Sequence, residues 1–192
     1  MSAFREVALE HANRGEPVFP LKPDGATPLL PGTWPENARD EAVLVRHWWA
    51  EHPDAGIAVV TGKRSGLLVV AVRGEAGATS LNALGEMPAT RVTSWGRDLL
   101  FWLSLPRQAS KIAQTLPEGR VRLSPRRDLA ASIVPSSTDW LGLGLRVVAE
   151  GGWVAMPPTN GCRVVVDVEP APAPAWLLLE ASPSSFPPPE AA

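Results

Sequence analysis

Apolar positions along the chain alternate between two periods. Phe4, Val7, Ala8, His11 and Ala12 recur at helical spacing, with Gly15 as a stop, and the pattern predicts an opening helix. Val43, Val45, Trp48 and Trp49 supply the apolar positions of a second helix, capped by Asp40 and running to about His52. Short apolar runs bounded by glycine or proline predict strands at 17–21, 56–61 and 67–72, and a helix follows at 76–84. The segments 91–94 and 98–104 read as strands that meet at a turn through Trp95 and Gly96. Beyond them the pattern is mostly that of strands, at 120–123, 130–134, 143–148, 153–156 and 163–168. Pro174 then suits the first turn of a short helix to about Glu180. The order predicts an α/β (α+β) fold, a mixed central sheet with flanking helices and a β-rich second half.

The chain of 192 residues, 45% of them hydrophobic, is long enough for one sizeable core, and residues 1–181 are read as a single domain. Residues 182–192, rich in Pro and Ser, cannot bury a core and are expected to be a disordered tail. A formal net charge of −2 leaves no global footprint for nucleic acid. The local candidate for such a contact is the group Arg120, Arg122, Arg126 and Arg127. Cys162 is the single cysteine, which excludes an internal disulfide framework and a cysteine-based metal cluster. His47 and His52 are not spaced to put two ligands on one helical face, so His11, His47 and His52 are read as structural or surface residues. No secretory leader pattern opens the chain and no apolar run approaches ~20 residues, so the expectation is a cytoplasmic protein with no membrane partner.

Several blocks, in order, carry a resemblance. They are Ala8-Leu-Glu-His-Ala-Asn-Arg-Gly-Glu-Pro-Val-Phe-Pro-Leu21, Arg46-His-Trp-Trp-Ala-Glu-His-Pro53, Gly56-Ile-Ala-Val-Val-Thr-Gly62 and Ser65-Gly-Leu-Leu-Val-Val-Ala-Val-Arg-Gly-Glu75. Further on stand Thr93-Ser-Trp-Gly-Arg-Asp-Leu-Leu-Phe101, Glu150-Gly-Gly-Trp-Val-Ala-Met-Pro-Pro-Thr159 and Pro174-Ala-Trp-Leu177. Together they resemble the bifunctional DNA primase/polymerase (prim-pol) domain of the archaeo-eukaryotic primase superfamily, from near the start to about Ser182. The resemblance implies the prim-pol fold. It also implies that Ala71 and Arg73 stand where the family has its first two metal-binding acids, Asp98 where it has a phosphate-binding His, and Arg146 where it has a third metal-ligand Asp.

Those four residues change the chemistry to be expected. A polymerase-type centre needs two or three carboxylates to hold Mg²⁺ or Mn²⁺ against a triphosphate. Ala71 offers no ligand, and Arg73 and Arg146 carry charges that cannot be removed near neutral pH. At an effective dielectric constant near 20, a guanidinium roughly 4 Å from a divalent cation costs about 8 kcal/mol. The sequence therefore predicts a catalytically inactive prim-pol homologue with no cofactor, acting as a binding or regulatory module for a protein partner or a nucleic-acid complex. Arg73 and Arg146 are expected either to pair with Asp98, Glu75 or Glu150 in the space of the missing metal, or to bind an anion such as nucleotide phosphate or a nucleic-acid backbone. The competing enzyme reading keeps Mg²⁺ or Mn²⁺ at a displaced site built from Glu75, Asp98 and Glu150.

Three other features carry no chemistry. Gly142-Leu-Gly144 lacks the third glycine of a dinucleotide fingerprint and precedes a strand. Ser136, Ser137 and Thr138 have no base at a telling spacing, and Phe186-Pro-Pro-Pro189 is too short to define a partner.

Overall fold

The computed structural model describes residues 2–105, 142–149 and 151–180. Helix α1 (Ala3–Asn13) is followed by strand β1 (Val18–Leu21), helix α2 (Ala42–Glu51) and strands β2 (Gly56–Val60) and β3 (Leu67–Arg73). Helix α3 (Gly74–Leu84) leads to the hairpin β4 (Arg91–Trp95) and β5 (Asp98–Ser104). After them come β6 (Leu145–Val148), β7 (Trp153–Met156), β8 (Cys162–Val166), β9 (Ala171–Pro172) and α4 (Ala175–Glu180).

The strands form two sheets. One has three antiparallel strands in the order β1-β2-β7; the other runs β6-β3-β5-β4-β8, antiparallel throughout. The two-residue β9 joins the larger sheet by the one parallel pairing found among the described residues, against Leu103 and Ser104 of β5. The α+β class and the β-rich second half expected from the pattern are both present.

Alternation along the strands divides the core. Val69, Ala71, Leu100, Trp102 and Val148 point from the large sheet toward Ile57, Val59, Val154 and Met156 of the small one, beneath α1 and α2. On the opposite face Leu68, Val70, Val72, Leu103, Leu145 and Val147 pack with Leu81 of α3 and Leu177 of α4. The outer face of the small sheet buries Phe19, Leu21, Val60 and Trp153, with Trp34 stacked on Phe19 at 4.7 Å. Buried polar groups are tied in place. Trp49 Nε1 donates to the Ala55 carbonyl at 2.9 Å, and Trp102 Nε1 donates to Thr93 Oγ1 at 2.8 Å. His11, at the end of α1, pairs with Glu16, both buried, which gives it the structural role expected of it.

Element boundaries differ from the sequence reading where backbone partners intervene. Asp40 does not cap α2. Val18 and Arg39 exchange backbone hydrogen bonds of 2.8 and 3.0 Å, holding the chain extended past Asp40, and Glu41 takes the N-cap position without a side-chain cap bond. Helix α3 begins at Gly74, two residues early, because Gly74 (φ 55°) makes the turn directly at the strand end. Strand β6 begins at Leu145, two residues late, since Gly142 and Gly144 form a turn with Leu143 exposed. The strands expected at 120–123 and 130–134, the polar loop Ser136 to Thr138 and the tail 182–192 lie outside the described residues.

Candidate functional site

Register brings the four singled-out residues together. In β3, Ala71 lies opposite Leu100 on one side and Arg146 on the other, and Arg73 lies opposite Asp98. Because positions two apart share a face, Ala71, Arg73, Asp98 and Arg146 all project from the same face of the large sheet, at the end of the apolar layer between the sheets. A strand pattern alone predicts the face of each residue; which strands are neighbours comes only from the fold.

Arg73 and Asp98 form a two-pronged ion pair. Arg73 Nε donates to Asp98 Oδ1 at 3.1 Å and Nη2 donates to Oδ2 at 3.0 Å. The Asp98 side chain is 9% exposed and that of Arg73 38%. This is the fork geometry in which arginine binds carboxylate best, and it occupies both oxygens of Asp98. Of the two arginines expected to pair with a carboxylate, one does so with Asp98. Arg146, half-buried on the neighbouring strand, has no hydrogen-bond or ion-pair partner among the described residues. Burial pushes its pKa below the ordinary arginine value, and the charge of Arg73 adds to the effect.

Two glycines set the distance between these groups. The Arg73 amide donates to the Gly144 carbonyl at 2.8 Å, just before β6 begins. A methyl group on Gly144 would stand 2.7 Å from the Gly77 amide nitrogen and 2.9 Å from the Arg73 carbonyl oxygen; one on Gly77 would stand 2.6 Å from the Gly144 carbonyl oxygen. The first turn of α3 and the entry to β6 thus touch backbone to backbone, which fixes Arg146 beside the end of β3. The sequence reading treated Gly144 as a failed fingerprint and missed this role; its only signal was a glycine just ahead of a strand.

Other candidates are placed less closely. Glu75 is exposed in the first turn of α3, and among the described residues no group of three His, Cys, Asp or Glu side chains is arranged to hold a metal ion. Glu150 and the arginines at 120, 122, 126 and 127 lie outside the described residues. An open, polar cleft of about 580 Å³ runs beside the β4–β5 turn, lined by Ser94 and Gly96 on one side and Pro158, Thr159, Asn160 and Arg163 on the other. The segment around Ser94 and the one around Pro158, both quoted for the resemblance, meet there. Cys162 also lines this cleft, but burial pushes its thiol up to about 12, so it is a poor nucleophile near neutral pH.

Thr159 closes the far side of the arrangement. Its Oγ1 accepts from the Ile57 amide at 2.7 Å, which ties the Pro157-Pro158 turn to the start of β2. A methyl group on Gly56 would meet the Thr159 side chain at 2.7 Å, so a glycine is required next to this bond.

No helix among the described residues is long and apolar enough to cross a membrane. No curated protein matches the chain. The profile of the family described as bifunctional DNA primase/polymerase, N-terminal, matches residues 8–176. That span takes in most of the core and the whole Ala71, Arg73, Asp98 and Arg146 cluster, and the chain accordingly belongs to the bifunctional DNA primase/polymerase N-terminal domain family.

Proposed function

We propose that this prim-pol domain has lost two-metal nucleotidyl transfer and serves as a binding or regulatory module, in the cytoplasm, for a protein partner or a nucleic-acid complex. The observation that carries the reading is the ion pair that occupies Asp98. The carboxylate facing the end of β3 has both oxygens engaged by Arg73 at 3.0 and 3.1 Å, so a divalent cation there would share its ligand with a guanidinium and be repelled by it. The Mg²⁺ or Mn²⁺ that family membership implies does not fit the residues around it. Ala71 has no donor atom, and the guanidinium of Arg146 points its charge into the same face. The displaced site of Glu75, Asp98 and Glu150 is disfavoured by the same pair, because the Arg73 guanidinium at 3.0 Å from Asp98 would repel a cation bound to that carboxylate.

The module reading gains support from the completeness of the frame. Packed clusters cover both faces of the large sheet, and among the described residues no buried side-chain polar atom lacks a hydrogen-bond partner, as expected of a fold retained for its surface. The test is primer synthesis on a single-stranded template with deoxynucleoside triphosphates and Mn²⁺ or Mg²⁺, together with calorimetric titration of Mn²⁺. We expect no extension product and no Mn²⁺ binding. Metal-dependent synthesis that disappears in Asp98→Ala would refute the proposal.

A further inference from the structure

Strands β4 and β8 bring three side chains with unused hydrogen-bonding capacity to one cleft. Ser94 lies opposite Arg163 in the ladder between the two strands, and Asn160 stands in the turn that enters β8. All three line the open cleft of about 580 Å³ beside the β4–β5 turn, and none of their side chains has a hydrogen bond or ion pair among the described residues. Backbone joins the two walls. The Gly96 amide donates to the Gly161 carbonyl at 3.1 Å, and a methyl group on Gly161 would meet the Trp95 ring at 3.0 Å. Register extends this site onto an apolar margin. Leu99 lies opposite Ser94, and Val92, on the same face of β4 as Ser94, lies opposite Val166. One face of the sheet therefore presents Leu99, Ser94, Arg163 and Val166 together, with Leu99 39% and Val166 41% exposed. Apolar side chains left in water around a guanidinium that has no acid of its own are the mark of an interaction surface.

We propose that this face docks an acidic segment of a protein partner, with a Glu or Asp carboxylate on the Arg163 fork and apolar neighbours against Leu99 and Val166. The inference deepens the reading of the domain as a binding module and rests on it. A carboxylate fits better than a phosphate. The amides of Gly96, Thr159 and Cys162 already donate to carbonyls at 3.1, 3.1 and 2.9 Å, so they form no nest for phosphate oxygens, and Arg163 is the one cation in the lining. A carboxylate needs a single planar fork and a single balancing charge, which Arg163 supplies, and Asn160 and Ser94 add neutral donors. The bulge in the β4–β8 ladder disfavours an added strand on β8, so the contact is made by side chains.

The test is an NMR titration of the isotopically labelled full chain with a capped heptapeptide that carries one central glutamate and a leucine on either side of it. The comparison probes are the same peptide with glutamine or phosphoserine at the centre, and a short single-stranded oligonucleotide. We expect saturable shifts confined to residues around the cleft with the glutamate peptide, and binding about threefold to tenfold weaker with glutamine. Arg163→Ala should cost as much as the glutamine exchange and add nothing to it, since each removes the same pair. Arg163→Lys should fall between the parent and Arg163→Ala, because Lys keeps the charge without the fork. Arg163 is exposed, so both variants should keep the parent's Tm. Val166→Ser should weaken the peptide about twofold or more. Arg14→Ala, which removes an exposed arginine at the end of α1, should bind like the parent. No saturable shift, equal affinity for the glutamate and glutamine peptides, or unchanged affinity in Arg163→Ala would overturn the site. Tighter binding of the phosphoserine peptide or the oligonucleotide through Arg163 would overturn the carboxylate in favour of a phosphate. Failure of the peptide site leaves the proposed loss of nucleotidyl transfer standing, whereas primer synthesis by the chain would refute that loss and not the peptide site.

Discussion

Strands β3 and β8 are written in nearly the same alphabet and have opposite fates. Leu67-Leu-Val-Val-Ala-Val72 is buried on both faces, with Val69 and Val70 fully enclosed, whereas Val164, Val165 and Val166 are 50%, 53% and 41% exposed. The difference is position in the sheet. β3 lies between β5 and β6 with a packed layer on either side; among the described residues β8 is the last strand beyond β4, and its pairing is interrupted by a bulge at Val92/Thr93 that leaves Val165 without a partner in β4. A bulge and the charged ends Arg163 and Asp167 are the usual means by which an edge strand resists further pairing. A run of β-branched residues therefore identifies a strand in both places but identifies a core in only one of them.

Substitutions of matched type expose that difference. Val70→Asp would bury an unpaired carboxylate between the large sheet and α3, and should cost about 4 kcal/mol or more, enough to unfold a marginal domain. Val165→Asp should change stability by less than about 0.5 kcal/mol. Urea denaturation of the two variants measures both. Equal losses would mean that β8 is covered in solution.

The same logic separates two glycines of similar conformation. Gly144 (φ 76°) and Gly151 (φ 73°) both sit in the left-handed region, but a methyl group on Gly144 meets backbone at 2.7 Å and one on Gly151 meets nothing within 4 Å. Gly151→Ala should cost about 1–2 kcal/mol, the conformational penalty alone. Gly144→Ala should cost about 3 kcal/mol, since overpacking is added to it. Urea denaturation of the two variants checks the pair.

The smallest of the three effects concerns the ion pair. Arg73→Ala leaves the Asp98 carboxylate buried without its guanidinium and should cost about 2 kcal/mol, below the range for a fully buried pair because Arg73 is 38% exposed. The double variant Arg73→Met with Asp98→Leu should be close to the parent in stability. A double-mutant cycle that gave no coupling would show that the pair adds nothing to stability in solution.

Much of this was legible beforehand. Helix and strand positions through residue 104 followed from periodicity, and the approach of Arg73, Asp98 and Arg146 followed from matching the family blocks in order. Sequence could not reveal which faces were shared, because the register between β3 and β6 joins residues 71 and 146, far beyond any local pattern. Asp40 misled as a cap because its fate was decided by the backbone bonds of Arg39 to β1, a tertiary contact that outweighs capping preference. Gly144 was misjudged for a related reason. A glycine needed for close approach looks the same, in one dimension, as a glycine needed for a loop.

The joining of β7 to β2 and of β6 to β3 has a consequence for the order of assembly. The hairpin that contains Asp98, and its pairing with β3, need only the first 104 residues, so the Arg73–Asp98 bond is available early on a growing chain. The third strand of the small sheet and the strand bearing Arg146 must wait for residues beyond 144, across a large loop-closure cost. On a ribosome the nascent domain would therefore pair Arg73 with Asp98 before its second arginine arrives.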